Sequence, residues 1–213
     1  NLNPNLPSKY IIDKEKMEYR LADYITVPTE FARQTFLTRG FSEKKIIKIP
    51  YGVNLKEFQK QNLNQKKDFI FRIIYTGTLS IRKGVLYLLK AFDELNLQNS
   101  QLLMIGNIDE EIRSKINKYR SNKKIVFKRS ISQSKLSEQY SYSNVFITCS
   151  IEEGLSMVQL QAMCCGLPVI CTPNSGGDEI IDNSNDGFIL PIRDTEELKK
   201  KILYLYNNQS ICF

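Results

Sequence analysis

From residue 69 onward, short apolar runs alternate with longer amphipathic stretches. The run FIFRIIY (69–75) is rich in β-branched and aromatic residues without strict alternation, which is typical of a strand buried on both faces. The whole pattern predicts strands at 69–75, 101–106, 124–128, 144–150 and 168–172, a strand or hairpin at 186–192, and helices at 84–96, 109–122, 132–143, between Gly154 and Gly166, and at 194–208. Such alternation predicts an α/β fold with a doubly wound, parallel, Rossmann-like sheet.

The beginning of the chain has a different pattern. It predicts a helix, a strand, a second helix and a second strand, at 13–22, 23–28, 29–40 and 44–52. Thr29 fits the N-cap of the second helix, and Gly40 fits its C′ residue. A stretch rich in Gln, Asn and Lys follows. We therefore expect 1–52 to be the last part of one domain, 53–67 a linker, and 68–213 a second domain truncated at its C-terminal end.

Charge and length narrow the classes of protein. The 213 residues carry a net charge of +7, from 30 basic and 23 acidic residues. This charge fits nucleic acid, an anionic membrane surface, a phosphorylated small molecule, or simply a lysine-rich solvated surface. The bases do not form one dense block with interleaved aromatics, so nucleic acid is not favoured. No apolar run approaches the ~18–20 residues that span a bilayer. Because the chain opens without Met, we expect a fragment of a longer protein.

Histidine and cysteine usage restrict the chemistry further. The chain contains no His, which removes the commonest general base and the commonest metal ligand. Its five Cys are an odd number without a CxxC pair, and four of them lie in apolar runs. This usage indicates buried thiols in a reducing cytoplasm rather than a disulfide framework. We expect no metal site.

Ligands of a doubly wound sheet bind beyond the carboxyl ends of its strands, at the topological switch point. The first loop at this edge, GTLSIRKG, places Arg82 and Lys83 directly before the helix at Gly84. A cation at a helix N-terminus is unfavourable by roughly 0.3–1 kcal/mol unless an anion offsets it. This pair is therefore a candidate phosphate site, although the motif taken alone fits an exposed basic turn better.

A second loop motif is SIEEGLSMVQLQAM. Glu153 and Gln161 are eight residues apart, near one face of the predicted helix, and Gly154 lets the backbone approach a ligand. Taken alone, the acid is explained as well by complementing the helix dipole. Glycine turns at Gly106 and at 175–177 add weaker evidence, and we expect the second to precede a further helix.

The joint order of these motifs is more specific. EEGLSMVQLQAMCCGLPVICT, together with GTLSIRKG and IPYGVNLKEF, resembles the retaining GT-B glycosyltransferases of family 4, the group 1 glycosyl transferases. The resemblance covers essentially the whole chain. The pattern Pro50, Gly52, Val53, Asn54, Phe58 resembles the interdomain signature of that family, with Asn54 where Asp is usual. It implies two Rossmann-like domains facing across a cleft, of which the second binds the nucleotide-sugar donor.

The resemblance also implies roles for residues. Lys83 would contact the donor diphosphate, and Arg82 would replace the arginine that the family usually has at the position of Thr78. Glu153 would lie against the donor sugar, and Gln161 stands where a glutamate normally holds the ribose. Ser156 replaces a common glycine. The implied catalytic residues are Glu153, Lys83 and Arg82. The implied donor-binding residues are Gly77, Thr78, Gly106, Gly154, Leu155, Ser156, Met157, Val158 and Gln161.

The expected function is therefore retaining transfer of a sugar from a nucleoside-diphosphate sugar to a glycan or lipid-linked acceptor, in surface polysaccharide or glycoconjugate synthesis. We expect no cofactor, a cytoplasmic location with peripheral contact to the inner membrane face, and no turnover by this fragment alone. One alternative is a GT-B nucleotide-sugar epimerase, against which the absence of His argues. Another is a non-catalytic nucleotide-sugar-binding module. A dinucleotide enzyme is disfavoured because no GxGxxG follows the first strand.

Overall fold

The computed structural model describes residues 7–61, 69–182 and 185–209. The predicted linker residues 62–67 and Cys212 lie outside the described residues. The described helices and strands are, in chain order, α1 (Lys9–Leu21), β1 (Ile25–Val27), α2 (Glu30–Leu37), β2 (Ile46–Lys48), β3 (Phe71–Thr76), α3 (Val85–Leu95), β4 (Ser100–Ile105), α4 (Glu110–Ile116), β5 (Ile125–Lys128), α5 (Gln133–Ser141), β6 (Val145–Ile147), α6 (Met157–Cys164), β7 (Val169–Cys171), β8 (Gly187–Ile189) and α7 (Thr195–Asn207).

Residues 69–182 and 185–209 form one unit, the six-stranded body. Its strands are all parallel, in the order β5-β4-β3-β6-β7-β8. The predicted doubly wound sheet is confirmed. The hairpin alternative for 186–192 is wrong, because β8 pairs in parallel with β7 and places Gly187 opposite Val169. The chain runs from β3 outward to β5 and then returns to the other side of β3, so the switch point lies between β3 and β6.

The sheet of the body is covered on both faces. Helices α3, α4 and α7 contribute to one apolar cluster, and α5 and α6 contribute to the other. Neighbouring residues of β3 pack on opposite faces of the sheet. Ile73 belongs to the first cluster and Ile74 to the second, and both are fully buried. This two-sided burial explains why the strand has no polar alternation.

Two helix predictions in the body need correction. The helix expected at 109–122 ends at Ile116 and continues only as a 3₁₀ turn, Asn117–Tyr119. The tighter turn buries Tyr119 and brings the chain round to enter β5. The helix expected after the glycine turn at 175–177 is also absent, since the chain there makes two short 3₁₀ turns, Pro173–Ser175 and Gly177–Glu179.

Residues 7–52 form the amino-terminal segment. Its strands β1 and β2 pair in parallel, with Ile25 opposite Ile46. These two residues and Val27 form a small apolar cluster with aromatic neighbours, while α1 has no buried residue. The predicted N-cap is confirmed, because the Thr29 hydroxyl accepts the backbone N–H of Ala32 at 3.1 Å. The predicted C′ residue is also confirmed: Gly40 has a positive φ of 83° and donates to the Leu37 carbonyl, while the Phe41 N–H donates to the Phe36 carbonyl, as in a Schellman motif.

The first part of the predicted linker packs against the body. Phe58 is only 2% exposed and lies among the apolar residues beneath α5 and α6, with its ring 6.3 Å from that of Tyr140. The carbonyl of Asn54 accepts the N–H groups of Glu57 and Phe58, so the stretch is a structured turn. The family-like signature thus includes a core residue of the body.

Candidate active site

The loop after β3 brings Lys83 to the start of α3. The Lys83 N–H donates to the Ser80 hydroxyl at 3.3 Å, and the Ile81 N–H donates to the Glu111 carboxylate at 2.8 Å. Gly84 follows with a φ of +64°, and a Cβ there would lie 1.9 Å from the Cys149 carbonyl oxygen. Glycine is therefore required at this position, and its absence of a side chain brings the start of α3 against the end of β6.

The loop after β6 carries Glu153 to the same place. Its carboxylate forms an ion pair with the Lys83 ammonium and accepts a hydrogen bond from the Ser150 hydroxyl at 3.1 Å. The side chains of Lys83 and Glu153 are 15% and 16% exposed. The Glu153 N–H donates to the Asn174 carbonyl at 2.9 Å. Two residues 70 positions apart in the chain thus meet at the switch point, with both charges largely shielded from water.

Arg82 lies apart from this pair. Its guanidinium donates to the Glu152 carbonyl at 3.1 Å and lies 4.0 Å from the Glu152 carboxylate. The two side chains are 49% and 63% exposed, and such surface pairs contribute little to stability. Of the two neighbouring bases, Lys83 is therefore the one held in a fixed environment.

A third loop, 172–179, supports the second. The Ser156 N–H donates to the Ser175 carbonyl at 3.0 Å, so this amide is not available to a ligand. Gln159 is fully buried, and its amide donates to the Ser175 carbonyl at 2.9 Å and accepts from the Ser175 hydroxyl at 3.3 Å. Sequence reasoning missed Gln159, together with the supporting residues Ser150, Asn174 and Glu111. Local patterns gave no signal for them beyond their positions at strand ends and turns.

Helix α6 starts later than its sequence suggests. Its first residue is Met157, and its N-cap Ser156 makes no side-chain capping hydrogen bond. The first N–H groups of a helix lack partners within it, so this end of α6 offers donors and a positive partial charge close to Glu153. Leu155 is buried, whereas Met157 and Val158 are half-buried.

Gln161 lies on the next turn of α6. Its Oε1 is buried, and among the described residues it is the one buried side-chain oxygen or nitrogen that lacks a hydrogen-bond partner. Such an oxygen retains an unused capacity to accept a hydrogen bond.

The glycines that follow β3 and β4, Gly77 and Gly106, take part in the hydrogen bonding of the sheet. Gly77 donates its N–H to the Ile105 carbonyl, and Gly106 donates to the Lys128 carbonyl, so both amides continue the sheet ladder. Thr78 is exposed, and its carbonyl accepts the Tyr75 hydroxyl at 2.8 Å. The amides of Gly77 and Gly106 are therefore engaged within the sheet and are not available to a ligand.

The thiols at this edge are poor nucleophiles. Burial raises the pKa of Cys149 and that of Cys171 to about 12. Burial also raises the pKa of Tyr75, with the nearby Glu153 charge as a second cause. These groups stay protonated at neutral pH, so neither thiol supplies a thiolate nucleophile.

The arrangement of acidic, thiol and apolar side chains bears on metal binding and on membrane insertion. Across residues 7–61, 69–182 and 185–209, no group of three or more Cys, Asp or Glu side chains is arranged to hold a metal ion. Within the same ranges, no helix combines the length and the apolar composition that crossing a bilayer requires.

The doubly wound parallel sheet, with an ammonium and a carboxylate facing each other at its switch point, is a Rossmann-like domain. The chain belongs to the glycosyl transferases group 1 family, whose model matches residues 54–212. Membership of the group 1 glycosyl transferases and the GT-B, Rossmann-like fold class, both predicted from the sequence, are thus confirmed.

Three similar proteins illustrate the relationship. The amylovoran biosynthesis glycosyltransferase AmsD of Erwinia amylovora is 30% identical over 187 residues, covering 84% of this chain and 51% of AmsD. The solved sucrose-phosphate synthase of Thermosynechococcus elongatus matches with a TM-score of 0.82 and 25% identity, over 96% of this chain and 54% of that one. Anabaena HepE, solved in complex with UDP-glucose, matches with a TM-score of 0.81 and 17% identity, over 92% and 57%. The chain spans about half the length of the curated relatives it matches.

Proposed function

We propose that the protein to which this chain belongs is a retaining glycosyltransferase of family 4. It transfers a sugar from a nucleoside-diphosphate sugar to a glycan or lipid-linked acceptor during synthesis of a surface polysaccharide or glycoconjugate. The six-stranded body binds the donor, and the amino-terminal segment is the end of the acceptor domain. Family membership and the likeness to AmsD support the reaction class, and HepE with UDP-glucose supports the kind of donor.

The observation that carries the proposal is the shielded Lys83–Glu153 pair at the switch point. Breaking the anomeric bond leaves charge on the diphosphate and makes the sugar ring cation-like. An ammonium has three N–H donors, so Lys83 can bind phosphate oxygens while it still contacts Glu153. The carboxylate then faces the sugar, where it accepts hydroxyl hydrogen bonds and stabilises the positive ring.

The surrounding groups complete the electrostatics. The free N–H groups at the start of α6 supply fixed positive potential for the diphosphate, and Arg82 adds a mobile charge at the rim. These donors allow departure of the nucleoside diphosphate with no metal ion. Retention then requires attack from the face that the diphosphate leaves.

Location and acceptor follow from the same proposal. A lipid-linked acceptor would place the enzyme on the cytoplasmic side of a membrane, as a peripheral protein. The net charge of +7 favours an anionic lipid surface. Because catalysis needs acceptor-binding residues from the other domain, this chain alone would bind donor weakly and would not turn over.

The test compares the Lys83–Glu153 pair with an exposed ion pair on α3. Lys83→Ala and Glu153→Ala in the full-length protein should each lower the transfer rate by about 10²–10³-fold, the usual cost of removing one fixed charge-stabilising group. The matched control is the exposed pair of Lys90 and Glu94 on α3, whose Nζ–Oε1 distance is 3.7 Å. Lys90→Ala and Glu94→Ala should leave the rate within twofold. Near-normal transfer by either site variant would overturn the assignment.

A further inference from the structure

The amino-terminal segment reaches the candidate site through Thr29. This residue is only 1% exposed although it caps the start of α2. Its hydroxyl accepts the Ala32 N–H at 3.1 Å and donates to the Gly154 carbonyl at 2.8 Å. A hydroxyl has one donor, and Thr29 uses it on the residue that directly follows Glu153.

The contact is tightly packed. A Cβ on Gly176 would lie 2.7 Å from the Thr29 methyl group and 2.8 Å from the Leu155 side chain. A Cβ on Gly154 would lie 3.4 Å from the Pro28 ring. Three segments, 28–30, 153–155 and 176–179, therefore meet with no space for an added side chain at Gly176.

A second residue holds the same junction. The carboxylate of Glu179 accepts the Glu30 N–H at the start of α2 and pairs with the Lys48 ammonium at 2.8 Å. The Glu179 and Lys48 side chains are 21% and 39% exposed. Glu179 therefore holds the start of α2, where Thr29 is the N-cap, against loop 172–179, which also contacts Glu153.

Hydrogen bonds therefore hold both the side chain of Glu153 and the backbone next to it. Its side chain lies between Lys83 and Ser150. Its backbone N–H donates to the Asn174 carbonyl, and the carbonyl of the next residue, Gly154, accepts the Thr29 hydroxyl. Because one peptide unit joins Gly154 to Glu153, a displacement of Gly154 would move the backbone that carries the Glu153 carboxylate.

We propose that Thr29 is a positioning residue for Glu153, through which the amino-terminal segment sets the geometry of the sugar-binding carboxylate. This inference rests on the proposed function, in which Glu153 contacts the donor sugar and Lys83 contacts the diphosphate. It follows that Thr29 affects binding of the sugar and leaves binding of the nucleoside diphosphate unchanged.

The experiment measures the affinity of the full-length protein for UDP and UDP-glucose, and for GDP and GDP-mannose, by calorimetry. The pair that the wild type binds is then used for the variants. Thr29→Asp retains the helix cap, because Asp is as good an N-cap, but its ionised carboxylate cannot donate to the Gly154 carbonyl. We expect it to weaken nucleotide-sugar binding about tenfold without changing nucleoside-diphosphate binding.

Three further variants serve as controls. Thr29→Ser retains both hydrogen bonds and should behave as wild type. Thr29→Val removes the hydroxyl without adding a charge and should repeat the Asp result. Asp194→Ala removes the N-cap of α7, whose carboxylate accepts the Glu197 N–H at 2.9 Å, and should change neither affinity. Equal losses for the sugar and the diphosphate, or no loss in the Asp and Val variants, would overturn the proposal.

A double-mutant cycle separates this inference from the proposed function. In a Glu153→Ala background, Thr29→Val should have no further effect on nucleotide-sugar affinity, since it acts through Glu153. Additive losses would mean that Thr29 acts elsewhere. If Glu153→Ala alone leaves nucleotide-sugar affinity unchanged, the proposed role of Glu153 itself fails.

Discussion

The six-stranded body and the amino-terminal segment both pair their strands in parallel, yet they differ greatly in burial. In the body, Ile73, Ile74 and Val145 on adjacent strands are fully buried. In the amino-terminal segment, α1 has no buried residue, and its Tyr10 and Leu21 are 76% and 75% exposed. A parallel sheet is stable where helices cover both faces, and a two-stranded sheet is at best marginal.

The difference shows which contacts fix the positions of Lys83 and Glu153. The body has its own core and places Lys83 and Glu153 by packing α3 and α6 on its sheet. Within the described residues, the amino-terminal segment has a small core and contacts the site loops through hydrogen bonds at Thr29 and Glu179. We therefore expect mutations in the body to change global stability, and mutations in the segment to change chiefly how the loops are held.

The largest effect expected under this comparison is at Phe58, which precedes the body in sequence but belongs to its core. Phe58→Ala should lower the free energy of unfolding by about 3–5 kcal/mol, as for other buried aromatic residues. The measurement is urea denaturation of the 213-residue chain. The matched control is Phe69→Ala, because Phe69 is 92% exposed and should cost almost nothing. Similar results for the two would show that Phe58 lies outside the core.

A smaller effect is expected at Gln161, whose Oε1 is the one buried side-chain oxygen or nitrogen among the described residues without a hydrogen-bond partner. Gln161→Glu should keep or tighten nucleotide binding, by up to about tenfold, because a carboxylate accepts stronger hydrogen bonds from ribose hydroxyls than an amide oxygen does. Calorimetry with the matching nucleoside diphosphate measures it. Gln159→Glu is the contrast, since it would lose the donor to the Ser175 carbonyl and should destabilise the fold. A sharp loss of affinity in Gln161→Glu would assign this side chain another task.

The smallest effect is expected on the exposed face of α1. Tyr10→Ser should change the free energy of unfolding of the same chain by less than about 0.5 kcal/mol, because the ring is already in water. Chemical denaturation again provides the value. A loss of 1 kcal/mol or more would contradict the contrast between the two regions, since it would reveal tight packing where the structure shows none.

Much of the body could be predicted because its signals are local. The apolar runs at 69–75 and 101–106 predicted β3 and β4, and the stripe at 84–96 predicted α3. Glycines and polar turns marked where the loops begin. The helix at 109–122 was predicted too long because its charged second half continues a helical composition, whereas burial of Tyr119 required a tighter turn.

The site could be predicted only in part. Alternation of strands and helices placed the loops of Lys83 and Glu153 at one edge, but their contact spans 70 residues and no local pattern encodes it. Ser150, Asn174 and Thr29 are ordinary polar residues in turns, and only the tertiary fold gives them their partners. Gln159 differs from Gln161 by half a helical turn, and composition cannot tell which of the two is buried and bonded.

The strand order has a consequence for how the chain is made. Strand β3 pairs on one edge with β4, which ends at Ile105, but its other edge pairs with β6, which ends only at Ile147. During synthesis, an apolar strand edge therefore stays open while β4, β5 and three helices emerge, and open edges invite pairing with other chains. The return of the chain that creates the switch point therefore also leaves this edge of β3 unpaired until β6 has been made.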